Sequence, residues 1–317
     1  MAADDSDTKA TGAAPPAGRY APSPTGPLHF GSLTAAVASW LQARSRGAAW
    51  YMRMEDIDPR RAVPGAADDI LRTLEAYGLT WDGPVLYQSD RLDAYADAVS
   101  DLKARGLAFD CGCSRREART GPAGPEGPIY PGTCRDGLPE GRSPRSVRLR
   151  AGHEEIAFVD GVLGRRSQRL DRDVGDFVIR RADGCYAYQL AVVVDDAHQG
   201  VGEVVRGSDL LLSTPRQIHL QRCLGLPTPS YAHVPLLVDA NGDKLSKSEG
   251  ATALDRRRPA EDLVAALRCL GQAPPPGLDA SGVADVLAWG RRHWRLSAVP
   301  ACTTLVWDAG RDLAEEA

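Results

Sequence analysis

Apolar positions along the first part of the chain alternate between two rhythms. Leu33, Ala36, Val37, Trp40 and Leu41 recur at i, i+3, i+4, i+7 and i+8, the apolar face of a helix that starts just after His29. Ahead of it, residues 19–32 read as a short buried strand, a bend and the helix start. Pro22, Pro24 and Pro27 forbid regular structure within the bend. Residues 48–54 are a second buried strand, closed by Glu55-Asp56-Ile57-Asp58-Pro59. Ile70, Leu71, Leu74 and Tyr77 predict a helix over 66–77. Leu92, Tyr95, Ala98, Val99 and Leu102 predict another over 92–105, with Ser89 or Asp90 as its cap. Strand, helix, strand, helix is the pattern of a parallel sheet with right-handed crossovers, an α/β fold.

The same reading continues beyond an irregular middle. Residues 176–180 form a strand, and Asp183-Gly184 is a tight-turn pair. The aromatic and β-branched run 186–196 fits a strand or a buried helix equally well by periodicity. Residues 201–206 form a strand ending in Arg206, and a helix capped by Ser208 or Asp209 follows. An apolar run at 234–238 leads into a polar loop. Amphipathic helices then span 260–270 and 283–294, separated by the breaker at 273–276.

Breaks in the pattern suggest five parts: a disordered tail (1–18), a first half of the catalytic domain (19–110), an insertion poor in apolar residues (111–175), a second half (176–250) and a short helical part (251–317). The tail is rich in Ala, Asp and Pro and has no apolar stretch, unlike a signal peptide. Of the 317 residues, 43% are apolar and 25% charged, the make-up of a soluble globular enzyme. A formal net charge of −4 gives no overall attraction to nucleic acid, so any RNA contact must come from local basic runs. Two such runs exist, Arg142/Arg145/Arg148/Arg150 and Arg165/Arg166/Arg169/Arg172, although runs of this kind are more often solvated surface. No apolar stretch approaches membrane-span length. Seven cysteines, an odd number, without an export signal point to thiols or metal ligands and to the cytoplasm.

The chemistry concentrates in two stretches. In residues 19–32 a helix N-terminus offers N–H groups and partial positive charge to a phosphate, and His29 at that opening can donate to an oxyanion. Gly26 and Gly31 let backbone come close to a ligand. Taken alone, this is also an ordinary strand–turn–helix. The second stretch, Lys244-Leu245-Ser246-Lys247-Ser248, is a cationic, hydrogen-bonding arm in the loop after 234–238. Paired with the histidine turn, it becomes informative, because nucleotidyl transfer needs charge stabilisation from both sides of a triphosphate. Glu55 lies just past a strand's carboxyl end, where an open α/β sheet places ligand contacts. Arg206, at a strand end beside a glycine, suits a bidentate carboxylate clamp. In the insertion, Cys111, Cys113 and Cys134 fall in a segment that cannot hold itself by burial, for which a metal clip is a physical solution.

Together the two stretches resemble the motifs of class I aminoacyl-tRNA synthetases, most closely the glutamyl branch and, within it, the short glutamyl-Q tRNA(Asp) synthetases. The resemblance implies a Rossmann-like parallel sheet with a zinc-containing insertion and a short helical C-terminal part, with 186–196 as a helix. It implies catalytic roles for His29 and Lys247. ATP, with Mg²⁺, would lie on Pro22, Ser23, Pro24, Thr25, Gly26, His29, Phe30, Gly31, Ser32 and on Lys244, Leu245, Ser246, Lys247, Ser248. L-Glutamate would be held by Arg19, Tyr20, Ala21, Pro22, Ser23, Glu55, Tyr188 and Arg206, and one structural Zn²⁺ by Cys111, Cys113, Tyr130 and Cys134. Ser32 stands where the common class I motif has a second histidine, which lowers phosphate stabilisation and predicts slow activation. The implied activity is formation of glutamyl-adenylate and transfer of glutamate to the queuosine of tRNA(Asp), by a cytoplasmic monomer. The competing readings are a truncated glutamyl-tRNA synthetase charging a tRNA 3′ end and a non-catalytic nucleotide-binding regulator. A small-molecule adenylyltransferase would have no use for the paired arginines.

Overall fold

The computed structural model describes residues 14–240, 242 and 253–307. Strands and helices alternate at the start: β1 (Gly18–Tyr20), α1 (Phe30–Arg44), β2 (Trp50–Met54), α2 (Ala66–Ala76), β3 (Leu86–Tyr87) and α3 (Leu92–Ala104). β2 pairs in parallel with both β1 and β3. Trp50, Met52 and Met54 on one face and Arg53 on the other are fully buried, as expected of a strand covered on both faces. α1 is enclosed beyond its apolar stripe, since Thr34, Ser39 and Gln42 are buried as well.

The middle of the chain supplies β4 (Ala108–Cys111), the short pair β5 (Ala123–Gly124) and β6 (Gly127–Pro128), and β7 (Ser146–Leu149). Next come β8 (Glu155–Asp160), β9 (Gly164–Arg169), α4 (Leu170–Asp173), β10 (Phe177–Arg180) and α5 (Tyr188–His198). β7 lies antiparallel between β4 and β10. The run 186–196 resolves as helix α5, with Leu190, Ala191, Val192 and Val193 in the core. Then follow β11 (Glu203–Gly207), α6 (Thr214–Leu224), β12 (Ser230–Val234), β13 (Leu236–Val238), α7 (Pro259–Cys269), α8 (Val283–His293) and β14 (Thr304–Val306).

β11 and β12 are parallel, and a parallel bridge from Ala17 to Val201 continues them onto β1. The strand order is thus β3-β2-β1-β11-β12, with a reversal of direction of growth between β1 and β11. Beyond β12 comes the β8–β9 hairpin, joined at Tyr231 and Asp160, so part of 111–175 belongs to the same sheet as β11 and β12. One apolar core gathers α1, β2, α2, α7 and α8. A second gathers α3, β7, α5 and α6, and a small third holds Phe109, Cys111, Cys113, Tyr130 and Cys134.

Three local expectations are corrected. A 3₁₀ turn, Gln88–Arg91, intervenes before α3, so neither Ser89 nor Asp90 caps that helix. Ser89 bonds Asp56 through both its N–H and its hydroxyl, and Leu92 in the first helical turn is 47% exposed. Ser208–Ser213 is likewise a 3₁₀ turn, and α6 starts only at Thr214, aided by a proline in its first turn. The C-terminal part is not purely helical, because β14 pairs in parallel with β13. Its three residues are too few to show a period of two in the sequence.

Candidate active site

In an open α/β sheet, ligands bind outside the carboxyl ends of the strands where strand order reverses. Those strands here are β1 and β11, and a cavity of ≈ 940 Å³ opens beside them. Arg19, Tyr20, Ala21, Pro22, Ser23, Pro24, Thr25, Gly26, His29, Ser32, Glu55, Tyr188 and Arg206, all singled out in the sequence, line it together. Phe30 and Gly31 do not. Phe30 turns away to stack on Trp307, ring centroids 4.5 Å apart, and a Cβ at Gly31 would come within 3.3 Å of the His29 ring. Gly31 thus contributes by letting the imidazole lie over the helix start. Lys244, Leu245, Ser246, Lys247 and Ser248 lie outside the described residues. The described chain resumes at Ala253, which bridges antiparallel to His29, and Leu254 N–H donates to the Leu28 carbonyl at 3.0 Å.

His29 is the N-cap of α1 and forms a reciprocal capping box with Ser32. Its Nδ1 accepts the Ser32 N–H at 3.3 Å, and the Ser32 hydroxyl accepts the His29 N–H at 3.0 Å. An accepting Nδ1 puts the proton of the neutral ring on Nε2, leaving that nitrogen as the donor to an oxyanion. Ser32 therefore fixes the tautomer and orientation of His29, and its own carbonyl accepts the Tyr20 hydroxyl at 3.2 Å.

Behind the cavity lies a buried charge cluster in which sequence reasoning singled out Arg19 and Glu55 but neither Arg53 nor Asp196. Asp196 Oδ1 accepts Arg19 Nε at 3.2 Å and Arg53 Nη1 at 2.8 Å, and Arg53 Nη2 reaches Glu55 Oε1 at 3.4 Å. Burial pushes the Asp196 carboxyl up, but Arg53 and Arg19 outweigh it and hold the group below the ordinary carboxylate value. For Glu55, burial wins over Arg53 and Arg19, and its pKa is raised. A carboxylate in that state gains from an arriving cation such as an ammonium. The one available signal for Asp196 was an acidic pair ending the apolar run 190–194, because a charge at a buried position must be partnered.

Arg206 donates through Nη1 to the Tyr188 hydroxyl at 3.4 Å, through Nη2 to Thr214 Oγ1 at 2.9 Å and through Nε to His233 Nε2 at 3.1 Å. The two neighbouring tyrosines, Tyr186 and Tyr188, differ in their contacts. Tyr188 faces Arg206, while Tyr186 packs edge-on against Tyr95 at 5.5 Å. His233 is fully buried and in contact with the candidate clamp. Asp58, readable as a strand stop, accepts Arg181 at 2.7 Å on the cavity wall.

In the third core the Sγ atoms of Cys111, Cys113 and Cys134 lie within 4.8 Å of one another, all buried, a cluster able to hold a metal ion. The Tyr130 oxygen sits 3.4 Å from Cys111 Sγ and 3.6 Å from Cys113 Sγ, and accepts the Cys134 N–H at 2.9 Å. Arg148, expected on a solvated run, is buried here: its guanidinium lies 3.8 Å from the Tyr130 ring centroid and donates to Cys111 Sγ at 3.4 Å.

Comparison with known proteins follows the same lines. The family profile described as "tRNA synthetases class I (E and Q), catalytic domain" matches residues 17–273. A glutamyl-Q tRNA(Asp) synthetase of Dechloromonas aromatica is 59% identical over 286 residues, covering 89% of this chain and 95% of that protein. One from Pseudomonas aeruginosa PAO1 is 54% identical, covering 91% and 96%. Among solved structures, the glutamate-tRNA synthetase of Elizabethkingia anophelis superposes with a TM-score of 0.76 at 25% identity, over 92% of this chain and 68% of its own.

Proposed function

This chain belongs to the class I glutamyl- and glutaminyl-tRNA synthetase family, among the glutamyl-Q tRNA(Asp) synthetases, and on that premise we propose that it activates L-glutamate with ATP and transfers it to the queuosine of tRNA(Asp). The observation that carries the reading is the convergence of Arg19 and Arg206, from adjacent strands at the switch point, on the cavity that also holds Glu55 and the His29 turn. Two guanidiniums meet the side-chain carboxylate of glutamate and Glu55 meets its α-ammonium. An uncharged analogue would leave buried charges unpaired, which is a strong basis for rejection. Tyr188 closes on the same substrate.

The α-carboxylate attacks the α-phosphorus of ATP, pyrophosphate leaves, and glutamyl-adenylate forms. A hydroxyl of the RNA then attacks the activated carbonyl and AMP departs. A carboxylate is already a nucleophile, so the first step needs no protein base. Catalysis is positioning plus charge stabilisation. ATP, entering as its Mg²⁺ complex, lies along residues 22–32. His29 Nε2–H and the N-terminus of α1 stabilise charge on the phosphates, and Lys247 does so from the opposite side. Ser32 lacks the charge of a second histidine, and activation is correspondingly slow.

Cys111, Cys113 and Cys134, with Tyr130 as fourth donor, hold a structural zinc ion; thiolates are the soft ligands that zinc takes. Three thiolates around one Zn²⁺ leave net negative charge, which the adjacent Arg148 offsets. Zinc there ties together a segment with little apolar content. The enzyme works as a monomer in the cytoplasm, where its ATP and tRNA are found. The rival activity is charging of a tRNA 3′ end. Identity of 59% to a glutamyl-Q relative, against 25% to a glutamate-tRNA synthetase, favours the modifying reaction.

The test has two stages. Purified protein should catalyse ATP–pyrophosphate exchange with glutamate and not with aspartate or glutamine. Labelled glutamate should then enter tRNA(Asp) that carries queuosine but not tRNA(Asp) that lacks it. Labelling of tRNA(Glu) instead would establish the rival.

A further inference from the structure

We propose that Asp160 and His233 are positioning residues that fix which edge of the Arg206 guanidinium faces the amino-acid substrate. The inference rests on Arg206 being the carboxylate clamp proposed above. Three adjacent strands put the groups in line. Arg206 on β11 pairs in register with His233 on β12, and β12 meets Asp160 at the end of β8. All three side chains are buried, His233 completely.

The hydrogen-bond directions have one consistent solution. A guanidinium Nε has only a proton to give, so His233 Nε2, 3.1 Å away, must accept. The imidazole is then neutral with its proton on Nδ1, which donates to Asp160 Oδ2 at 2.6 Å. Asp160 cannot rotate away, because its Oδ1 accepts the N–H groups of Val162 at 3.0 Å, Leu163 at 2.9 Å and His233 at 3.1 Å. Nη2 of Arg206 is taken by Thr214 Oγ1 at 2.9 Å, and that hydroxyl lies 3.2 Å from His233 Nε2. With Nε and Nη2 engaged by protein, the Nη1 side is left to Tyr188 and the cavity. Burial, with the Arg206 charge adding to it, lowers the His233 pKa and keeps the ring in the accepting, neutral form, against the pull of Asp160.

Asp160→Asn tests this with little change of shape. The three backbone N–H groups require a carbonyl oxygen at the Oδ1 position, so the new NH₂ faces His233 Nδ1. That nitrogen must then accept, the ring proton moves to Nε2, and Nε2–H confronts Arg206 Nε–H, donor against donor. The KM for glutamate in pyrophosphate exchange should rise by about 10- to 100-fold, the loss expected for a hydrogen bond to a charged group. The KM for ATP should stay within about two-fold, and kcat should change little, since the ATP-binding residues are untouched. A purely structural role would move both KM values and kcat together. A second measurement reads the wild-type protein itself: ¹⁵N-histidine NMR should show His233, assigned by the signals lost in folded His233→Gln, as the Nδ1–H tautomer. An Nε2–H tautomer in the wild type, or an unchanged KM for glutamate in folded Asp160→Asn, overturns the proposal. If the wild-type protein itself shows no glutamate-dependent exchange, the failure lies with the assignment of Arg206 instead.

Discussion

Replacing Asp196 by Asn separates the charge of the buried cluster from its geometry. One oxygen, Oδ1, receives both Arg19 Nε and Arg53 Nη1, and an asparagine carbonyl can occupy that position and accept both bonds. Only the negative charge is lost. Both arginines remain almost wholly buried, with Glu55 as the nearest remaining counter-charge at 3.4 Å from Arg53. Leaving a buried charge uncompensated costs about 3–5 kcal/mol, and with Glu55 still compensating in part, roughly 3 kcal/mol is the expected loss. With an unfolding entropy of about 2.1 cal/mol/K per residue over 317 residues, each kcal/mol shifts Tm by about 1.5 °C, so Tm should drop by about 4–5 °C. The Asp196 carboxyl lies below its ordinary range in the folded chain, so its contribution is present above that range and lost as the pH falls through the folded value. Urea unfolding at neutral pH should therefore show the full loss, while the acid limb of the stability curve should be flatter in the variant than in the wild type. A variant within about 0.5 kcal/mol of wild type would refute the reasoning, since errors of that size are normal for a surface change.

Four further outcomes follow from the same geometry. Glu55→Gln should raise the KM for glutamate by about 10- to 100-fold with little effect on that for ATP, as expected if it meets the α-ammonium; equal shifts in both would contradict that role. Because burial raises the Glu55 pKa, the wild-type KM for glutamate should begin to climb, as pH falls, earlier than an exposed carboxylate would allow. A KM flat down to the ordinary carboxylate range would remove Glu55 from binding. His29→Ala should slow pyrophosphate exchange by about 10²- to 10³-fold, the usual cost of losing one oxyanion donor, with the melting curve reading out the separate cost of the lost cap. Cys134→Ser should leave purified protein with well under one zinc per chain by elemental analysis and make residues 111–145 the first to be cut in limited proteolysis; full zinc content would exclude Cys134 as a ligand.

The elements that sequence patterning reveals are those whose signal is local. Leu33 to Leu41 repeat with the helical period, and Trp50, Met52 and Met54 put apolar residues on one face of β2, whose other face buries Arg53. α5 escaped periodicity for a physical reason: a helix enclosed on nearly all sides has no polar face to set against an apolar one. The charge partners were hidden for a different reason. Arg19 and Asp196 are 177 positions apart, and Gln88 and Asp195 are 107 apart, so only the assembled sheet brings them together. Composition was equally silent, because the buried cluster behind the cavity is balanced. Arg19, Arg53 and Arg206 are matched by Asp196, Glu55 and, through the His233 ring, Asp160. In the proposed pose, selection comes from placement: the substrate's ammonium meets the one carboxylate that burial has destabilised, and its side-chain carboxylate meets guanidiniums whose remaining edges are already occupied. A pocket of this kind discriminates by where each charge sits, so changes that reorient a buried partner, such as the tautomer shift at His233, should damage selectivity more than changes in surface charge many ångströms away.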